Sequence, residues 1–310
     1  MPKRVLDHEE FRAHMAPLTE ALGDYAKAMS KTTEQNGFVP GAASIAMAEL
    51  ANERRWATDA WREPARNAHS FGAMLVYFLA EHLAGYAAIV DGAAVGPVYA
   101  HMPMVRAMIE TVPVAHWLTD PTITLETRLK RSIAYRIDSA RFLGRHQHPN
   151  AILNSTTTLN QCHDYARRQK WIVTKAGDGG KSVGGQSLPG AAQSFTALAA
   201  DINDERLDAL LWNLSSATQH ATSYALLQNV RERSVPNGPL DPTGATASLM
   251  VDAATLARYG LLCWQGCRTV TEARLGLMGW TASDALTDAR DRLEAIQQSQ
   301  NVAAEPADPT

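Results

Sequence analysis

The chain has few cysteines, and they do not form the pattern of a disulfide framework. Its 310 residues contain three cysteines, Cys162, Cys263 and Cys267. Three is an odd number, and the last two stand one helical turn apart. That spacing is typical of small side chains buried in a helical protein. We therefore expect buried thiols rather than a secreted scaffold held by disulfides.

Motifs for metal and phosphate chemistry are also scarce. The chain has ten histidines, but it lacks the Glu-x-x-His steps that a helical di-metal centre repeats. Gly179-Gly180-Lys181-Ser182 resembles the end of a phosphate-binding loop, yet Lys175 stands where the first glycine belongs. Further glycines and Pro189 follow, so no helix N-terminus would face a phosphate. We expect no bound metal and no cofactor.

Long apolar runs and an excess of one charge are missing as well. No uncharged stretch reaches the 18 strongly apolar residues of a membrane helix, and the N-terminus carries acidic residues where a signal peptide is apolar. Because the chain has a net charge of −3, the protein as a whole has no electrostatic attraction for polyanions such as nucleic acids. We expect a cytoplasmic protein without a membrane partner, in which any nucleic-acid contact comes from a local patch.

The sequence is rich in helical periodicity. Apolar residues recur every three or four positions through most of the chain, which predicts an all-α multi-helix bundle. Trp171-Ile172-Val173-Thr174 and the glycines that follow predict one short β-hairpin or ordered loop near 171–190. The predicted helices span 7–31, 44–61, 65–90, 98–118, 125–145, 149–169, 194–202, 205–231, 245–277 and 284–300. We divide the chain into an N-terminal helical extension (1–62), a main bundle (63–300) and a disordered tail (301–310).

The helix predicted at 205–231 has two different faces. One carries leucines and alanines at buried-stripe spacing, while Trp212, Ser216, His220 and Tyr224 follow one another at four-residue intervals on another. Histidine exchanges a proton near neutral pH when a neighbouring group orients it. The row is either packed inside the bundle or lines a site. In the second case His220, Ser216 and Tyr224 are catalytic candidates, and Trp212 contacts the ligand.

Charged and aromatic residues on earlier helices form the second set of candidates. Arg66 and His69 share a helix face, and Arg106 and Glu110 are one turn apart in an apolar context. Such a pair of polar side chains in an apolar context either ties helices together or anchors an anionic ligand. The candidate ligand-binding residues are Arg66, His69, Arg106, Glu110, Trp117, Arg128 and Arg131, together with Trp212.

Several short motifs give the chain a family resemblance. Arg106-Ala-Met-Ile-Glu110, the run from His116 to Pro121 and Arg128-x-x-x-Ser132 resemble segments of uncharacterised actinobacterial helical proteins. The run from Leu211 to His220 is similar to a later segment of those proteins, which look distantly HEPN-like. The resemblance implies a helical homodimer that binds or acts on RNA. Active members carry Arg-x(4–6)-His, and the window before His220 contains no arginine.

Three functions remain open at this point. The first is a HEPN-like protein that binds or acts on a phosphate-bearing ligand such as RNA, with His220 as the acid or base and Arg106, Arg128 and Arg131 supplying positive charge. The second is an enzyme or binding protein for a small organic molecule in an apolar helical pocket. The third is a non-catalytic interaction scaffold. The sequence leaves open whether the protein is an enzyme.

Overall fold

The structure is a computed structural model that describes residues 8–92, 100–146, 148–176, 180–190, 230–234, 245–249 and 253–304. Within these residues the chain forms eight α-helices and one turn of 3-10 helix at Glu53–Arg55. The helices are α1 (His8–Gln35), α2 (Ile45–Ala51), α3 (Pro64–Gly92), α4 (Met102–Thr119), α5 (Leu125–Leu143), α6 (Pro149–Arg168), α7 (Ala253–Met278) and α8 (Asp284–Ala304). The prediction of an all-α bundle is confirmed.

Two small antiparallel sheets accompany the helices. The hairpin predicted near 171–190 is present as β1 (Val173–Lys175), β2 (Lys181–Val183) and β3 (Gln186–Ser187), in the order β1-β2-β3. The strands β4 (Val230–Ser234) and β5 (Ala245–Leu249) pair along their whole length, so that Glu232 lies opposite Ala247. This second ribbon was not predicted.

The β4–β5 ribbon corrects two predicted helices. The helix expected at 245–277 begins only at Ala253, and the one expected at 205–231 cannot include Val230 and Arg231, which belong to β4. In 245–249 small apolar residues alternate with Thr246 and Ser248, which is the period of a strand rather than of a helix. Residues 205–229 of the helix predicted at 205–231 lie outside the described residues, and so does the helix predicted at 194–202.

Local capping signals explain several helix ends. The hydroxyl oxygens of Ser44, Thr124 and Ser283 each accept a backbone N–H in the first turn of α2, α5 and α8. The helix predicted at 44–61 ends early, at Ala51, because the Asn52 side chain donates back to the Ala48 carbonyl at 2.9 Å. Beyond it the backbone folds into a tight turn that pairs Thr58 with Trp61.

The helices pack around two apolar cores. The larger core lies between α1, α3, α4, α7 and α8, where Tyr25 meets Trp264 edge to face at 6.2 Å. The smaller core joins α5, α6 and the hairpin, with Tyr165 stacked on Trp61 at 4.8 Å. Cys263 and Cys267 are buried free thiols, as their spacing predicted, and Cys162 is buried in the smaller core.

The helix α3 crosses the larger core. Its buried face packs on α1, α4 and α7. It is also the one helix among the described residues whose length and composition would allow it to cross a membrane. A long core helix has the same composition, because it is apolar on most of its faces.

A third, small cluster closes the bundle at one end. Ala46 of α2 packs on Leu277 and Met278 of α7 and on Trp280 just beyond it. The loop between α1 and α2 is joined to the same place, since the Gly41 amide donates to the Met278 carbonyl at 2.8 Å. The end of α7 and the α1–α2 loop therefore form one rigid corner.

We expect Gly41→Ala to destabilise the protein. A Cβ at this position would lie 2.8 Å from the Gly279 carbonyl oxygen, so the backbone must move. Such overpacking costs about 1–3 kcal/mol. In the control Gly23→Ala, the new methyl meets no atom within 4 Å, and helix propensity should stabilise α1 by up to about 1 kcal/mol. Urea denaturation measures both, and equal free energies of unfolding would contradict the prediction.

Candidate functional site

A cavity of about 610 Å³ lies at this corner of the bundle. It is bounded by the α1–α2 loop, α2, the first turns of α3 and the end of α7. Most of its wall is apolar, and its polar wall consists of Arg66, His69, Ser70 and Arg274. The apolar wall includes Phe38, Val39, Met47, Leu50, Ala73 and Met278. A mostly apolar cavity with a few converging polar groups is the usual form of a small-molecule site.

The loop at the mouth of the cavity has an unusual backbone. Gly37 and Phe38 have φ values of 57° and 60°, the left-handed region that is unfavourable for a bulky residue such as Phe38. Neighbouring contacts hold it there, because the Val39 carbonyl accepts the Trp280 indole N–H at 2.8 Å. The Phe38 ring is 56% exposed and lies 6.2 Å from the Tyr77 ring. Strain of this kind clusters at ligand sites.

Arg274 is the buried cation of the cavity. Its side chain is 4% exposed, and its Nε and Nη1 atoms have no hydrogen-bond partner within the described part of the chain. The guanidinium stands over the Trp280 ring at 5.1 Å. Burial lowers the pKa of Arg274 to about 10, so the group is still charged at neutral pH. Gly72 of α3 lies beside it, since a Cβ there would stand at contact distance, 3.6 Å, from Nη1.

A fully bonded ion pair lies behind the cavity wall. The Arg128 side chain is 0% exposed, and its Nε donates to both oxygens of Glu49, at 2.9 and 3.2 Å. Its other two nitrogens donate to the carbonyls of Leu118 and Asp120 at 2.6 and 2.9 Å. These bonds join α2, α5 and the end of α4. Arg128 therefore satisfies its donors inside the protein and does not face solvent.

His69 connects this ion pair to the cavity. Its Nε2 lies 3.0 Å from Oε2 of Glu49, although the N–H direction is poor for a hydrogen bond. Burial lowers the pKa of His69, and the nearby charges of Arg128 and Arg274 lower it further, against the opposing effect of Glu49. The imidazole is therefore neutral at neutral pH. A neutral imidazole backed by a carboxylate can accept a proton.

Glu49 keeps its charge in this setting. Burial alone would raise its pKa, but the contacts with His69 and Arg128 outweigh burial and lower it. Glu49 and Arg128 therefore form a pair with no net charge. Among the described residues no group of three or more histidine, cysteine and acidic side chains is placed to hold a metal ion.

The structure brings together two of the predicted ligand-binding residues and places others elsewhere. Arg66 and His69 both line the cavity. Arg131 lies on α5, where its Nη1 donates to the Trp117 carbonyl at 2.6 Å and its guanidinium stands over the Trp117 ring at 5.2 Å. Its Nε donates to Gln186 of the hairpin at 3.1 Å. Arg131 and Trp117 therefore join α4, α5 and the hairpin.

Arg106 and Glu110 form the ion pair that their spacing indicated. The Nε of Arg106 donates to Glu110 at 2.6 Å, and the Arg106 side chain is largely buried while that of Glu110 is about half exposed. The pair stands on α4 and does not line the cavity. Trp212, Ser216, His220 and Tyr224 lie outside the described residues.

The hairpin contains a nucleophile-like motif that the sequence reasoning missed. Gly180-Lys181-Ser182-Val183-Gly184 has the letters of Gly-x-Ser-x-Gly. That motif works where a strand turns sharply into a helix and exposes the serine. Here Ser182 is the central residue of β2, paired with Thr174 on one side and Ser187 on the other. The hairpin does not provide that geometry.

Sequence reasoning also missed Arg274 and Glu49, although each leaves a signal. Arg274 follows Cys267 and Val270 at three- and four-residue steps, so a charge occupies the buried stripe of α7. Glu49 stands three residues after Ala46 on the inward face of α2. A charged residue in a buried stripe indicates either an internal ion pair or a binding site.

Comparisons with known proteins add no relative. No protein-family model, no curated protein and no solved structure matches this chain. The resemblance to HEPN-like proteins stays a prediction.

We expect the protein to lose stability as the pH falls below about 6.5, the ordinary pKa of histidine. The pKa of His69 is lowered in the folded state, so below pH 6.5 the unfolded chain takes up a proton that the folded chain does not. Glu49, whose folded pKa lies below its ordinary 4.5, adds a second loss at lower pH. Chemical denaturation of the wild type and of His69→Gln between about pH 8 and 5 measures the first step. Parallel curves for the two proteins would contradict it.

Arg128→Met should strongly destabilise the protein. It leaves the Glu49 carboxylate buried without its cation, which typically costs about 3–5 kcal/mol. The control is Arg268→Met, which removes partly exposed ion pairs to Glu272 and Glu294 and should cost only about 1 kcal/mol. Adding Glu49→Gln to Arg128→Met should recover part of the loss in the same denaturation experiment. Equal effects of the two single variants would show that the ion pair is not the constraint.

Proposed function

We propose that the protein binds a small organic anion in this cavity, with Arg274 as its anchor. One observation carries the proposal: a buried guanidinium, with two nitrogens that lack hydrogen-bond partners among the described residues, stands in the wall of a mostly apolar cavity. The charge, the apolar wall and the size of the cavity all suit a ligand of this class.

The energetics favour a ligand role for Arg274 over a purely structural one. The effective penalty for burying a charge is several kcal/mol. The contact with the Trp280 ring at 5.1 Å returns about 2 kcal/mol or more when the pair is desolvated, which offsets only part of that penalty. An anion paired with the guanidinium would offset the remainder through charge-assisted hydrogen bonds. An anionic ligand would therefore compensate a charge that the described residues leave unpaired.

The surroundings of the other arginines favour a small anion over a long polyanion. Arg128 and Arg131 donate to carbonyl and carboxylate oxygens of the protein. They are therefore poorly placed to contact a phosphate backbone, which exposed cations bind. Phosphate-bearing ligands, RNA among them, remain candidates through the HEPN-like resemblance, and the homodimer and the cytoplasmic location stay predictions. A pure scaffold would need no such cavity.

Arg274→Met tests the proposal because it separates stability from binding. Methionine fills a similar volume without the charge, so in urea denaturation the free energy of unfolding of the variant should exceed that of the ligand-free wild type by about 1–4 kcal/mol. Native mass spectrometry of the purified wild type should show a bound anion that the variant lacks. The control is Arg268→Met on the same helix, whose charge is paired with Glu272 and Glu294.

Two results would count against the proposal. A destabilised Arg274→Met protein would show that the cation–π contact with Trp280 is structural. A ligand retained equally by the wild type and the variant would show that it is not anchored at Arg274. If RNA is bound instead, the mass spectrum and nuclease treatment will identify it, and RNA that survives the loss of Arg274 would place its binding elsewhere.

A further inference from the structure

We infer that the ligand is a singly charged carboxylate attached to an apolar chain or ring. This inference rests on the proposed function and specifies the chemical class of the anion. Two observations support it: the charges around the cavity, and a cavity wall that is mostly apolar.

Among the described residues, the charges of the cavity add up to a single uncompensated cation. Glu49 and Arg128 neutralise each other at 2.9 Å. His69 carries no charge at neutral pH. That leaves Arg274, whose guanidinium is buried beside Gly72. One negative charge on the ligand would balance it.

Arg66 does not change this count. It lies at the rim, 65% exposed, and pairs with the 57% exposed Glu63 at 3.6 Å. Its backbone amide also donates to Glu53 at 2.9 Å, which places a second carboxylate beside it. An exposed charge with acidic neighbours is largely screened by water. Arg66 can contact a polar part of the ligand near the mouth of the cavity, but it adds little positive potential around the Arg274 guanidinium.

A doubly charged group of the ligand would fit poorly beside the Arg274 guanidinium. A phosphate monoester carries about −1.5 to −2 at neutral pH, so it would leave excess negative charge near the Glu49 carboxylate. His69 could compensate only by taking up a proton, which burial and the nearby cations oppose. Uncompensated charge in a low-dielectric site is costly. A carboxylate avoids both problems.

The rest of the cavity suits an apolar body. Met47, Leu50, Ala73 and Met278 line the wall, and methionine adapts its shape to irregular ligands. Phe38 stands exposed at the mouth in a strained backbone conformation, where an apolar ligand can cover its ring. A volume of about 610 Å³ accommodates more than a simple carboxylate such as acetate. The ligand is therefore amphiphilic.

Four probes test the inference on the full-length protein by titration calorimetry. They are octanoate, octyl phosphate, 1-octanol and acetate, at about pH 8, where the phosphate is doubly charged. We expect octanoate to bind at least about tenfold tighter than each of the other three. Arg274→Met should weaken octanoate binding by about tenfold or more, whereas Arg268→Met should leave it unchanged.

The outcomes separate the inference from the proposed function. Tighter binding of octyl phosphate overturns the singly charged class, and tighter binding of acetate overturns the apolar body, yet both leave an anion at Arg274. Equal binding of 1-octanol and octanoate overturns the inference and the proposed function together. If the wild type binds none of the four probes, the inference is wrong, while native mass spectrometry still decides the proposed function.

Discussion

Compensation of buried charge determines how the helices of this protein meet. Arg128 has its guanidinium inside the bundle, and its donors reach Glu49 on α2 and the carbonyls that end α4. Because the guanidinium and the Glu49 carboxylate are buried, the elements that carry them cannot shift without leaving a buried charge unpaired. The pair therefore fixes α2 and α5 relative to α4. The cavity wall forms on that frame, with His69 beside Glu49.

Two buried guanidiniums of this molecule differ in how their burial is compensated. Arg128 donates to a carboxylate and to two carbonyl oxygens, so its burial is compensated within the chain. The Arg274 guanidinium packs over the Trp280 ring, and two of its nitrogens have no hydrogen-bond partner among the described residues. Burial lowers its pKa to about 10, which reflects the missing compensation. The two arginines are buried to a similar degree, but within the described residues only the charge of Arg128 is compensated by a carboxylate.

The sequence predicts what depends on neighbouring residues and misses what depends on distant ones. The starts of α3 and α5 were predicted to within one residue, and the short hairpin near 171–190 was predicted from its β-prone run and the glycines after it. Arg66 and His69 were paired from their spacing, and both line the cavity. The roles of Arg128 and Arg274 depend on partners from other helices, which a count of charges along one helix cannot show. The β4–β5 ribbon was missed because each strand has only five residues, too few for its alternation to stand out, and β4 carries three charged side chains in succession.

If an anion binds at Arg274 as proposed, the lifetime of the chain would also depend on the supply of that anion. A ligand that binds only the folded state adds about 2.7 kcal/mol of stability at a concentration one hundred times its dissociation constant. Proteases and chaperones act on the unfolded fraction, so a change of that size alters the steady-state abundance several-fold. A cell rich in the matching anion would accumulate this protein, and a starved cell would degrade it.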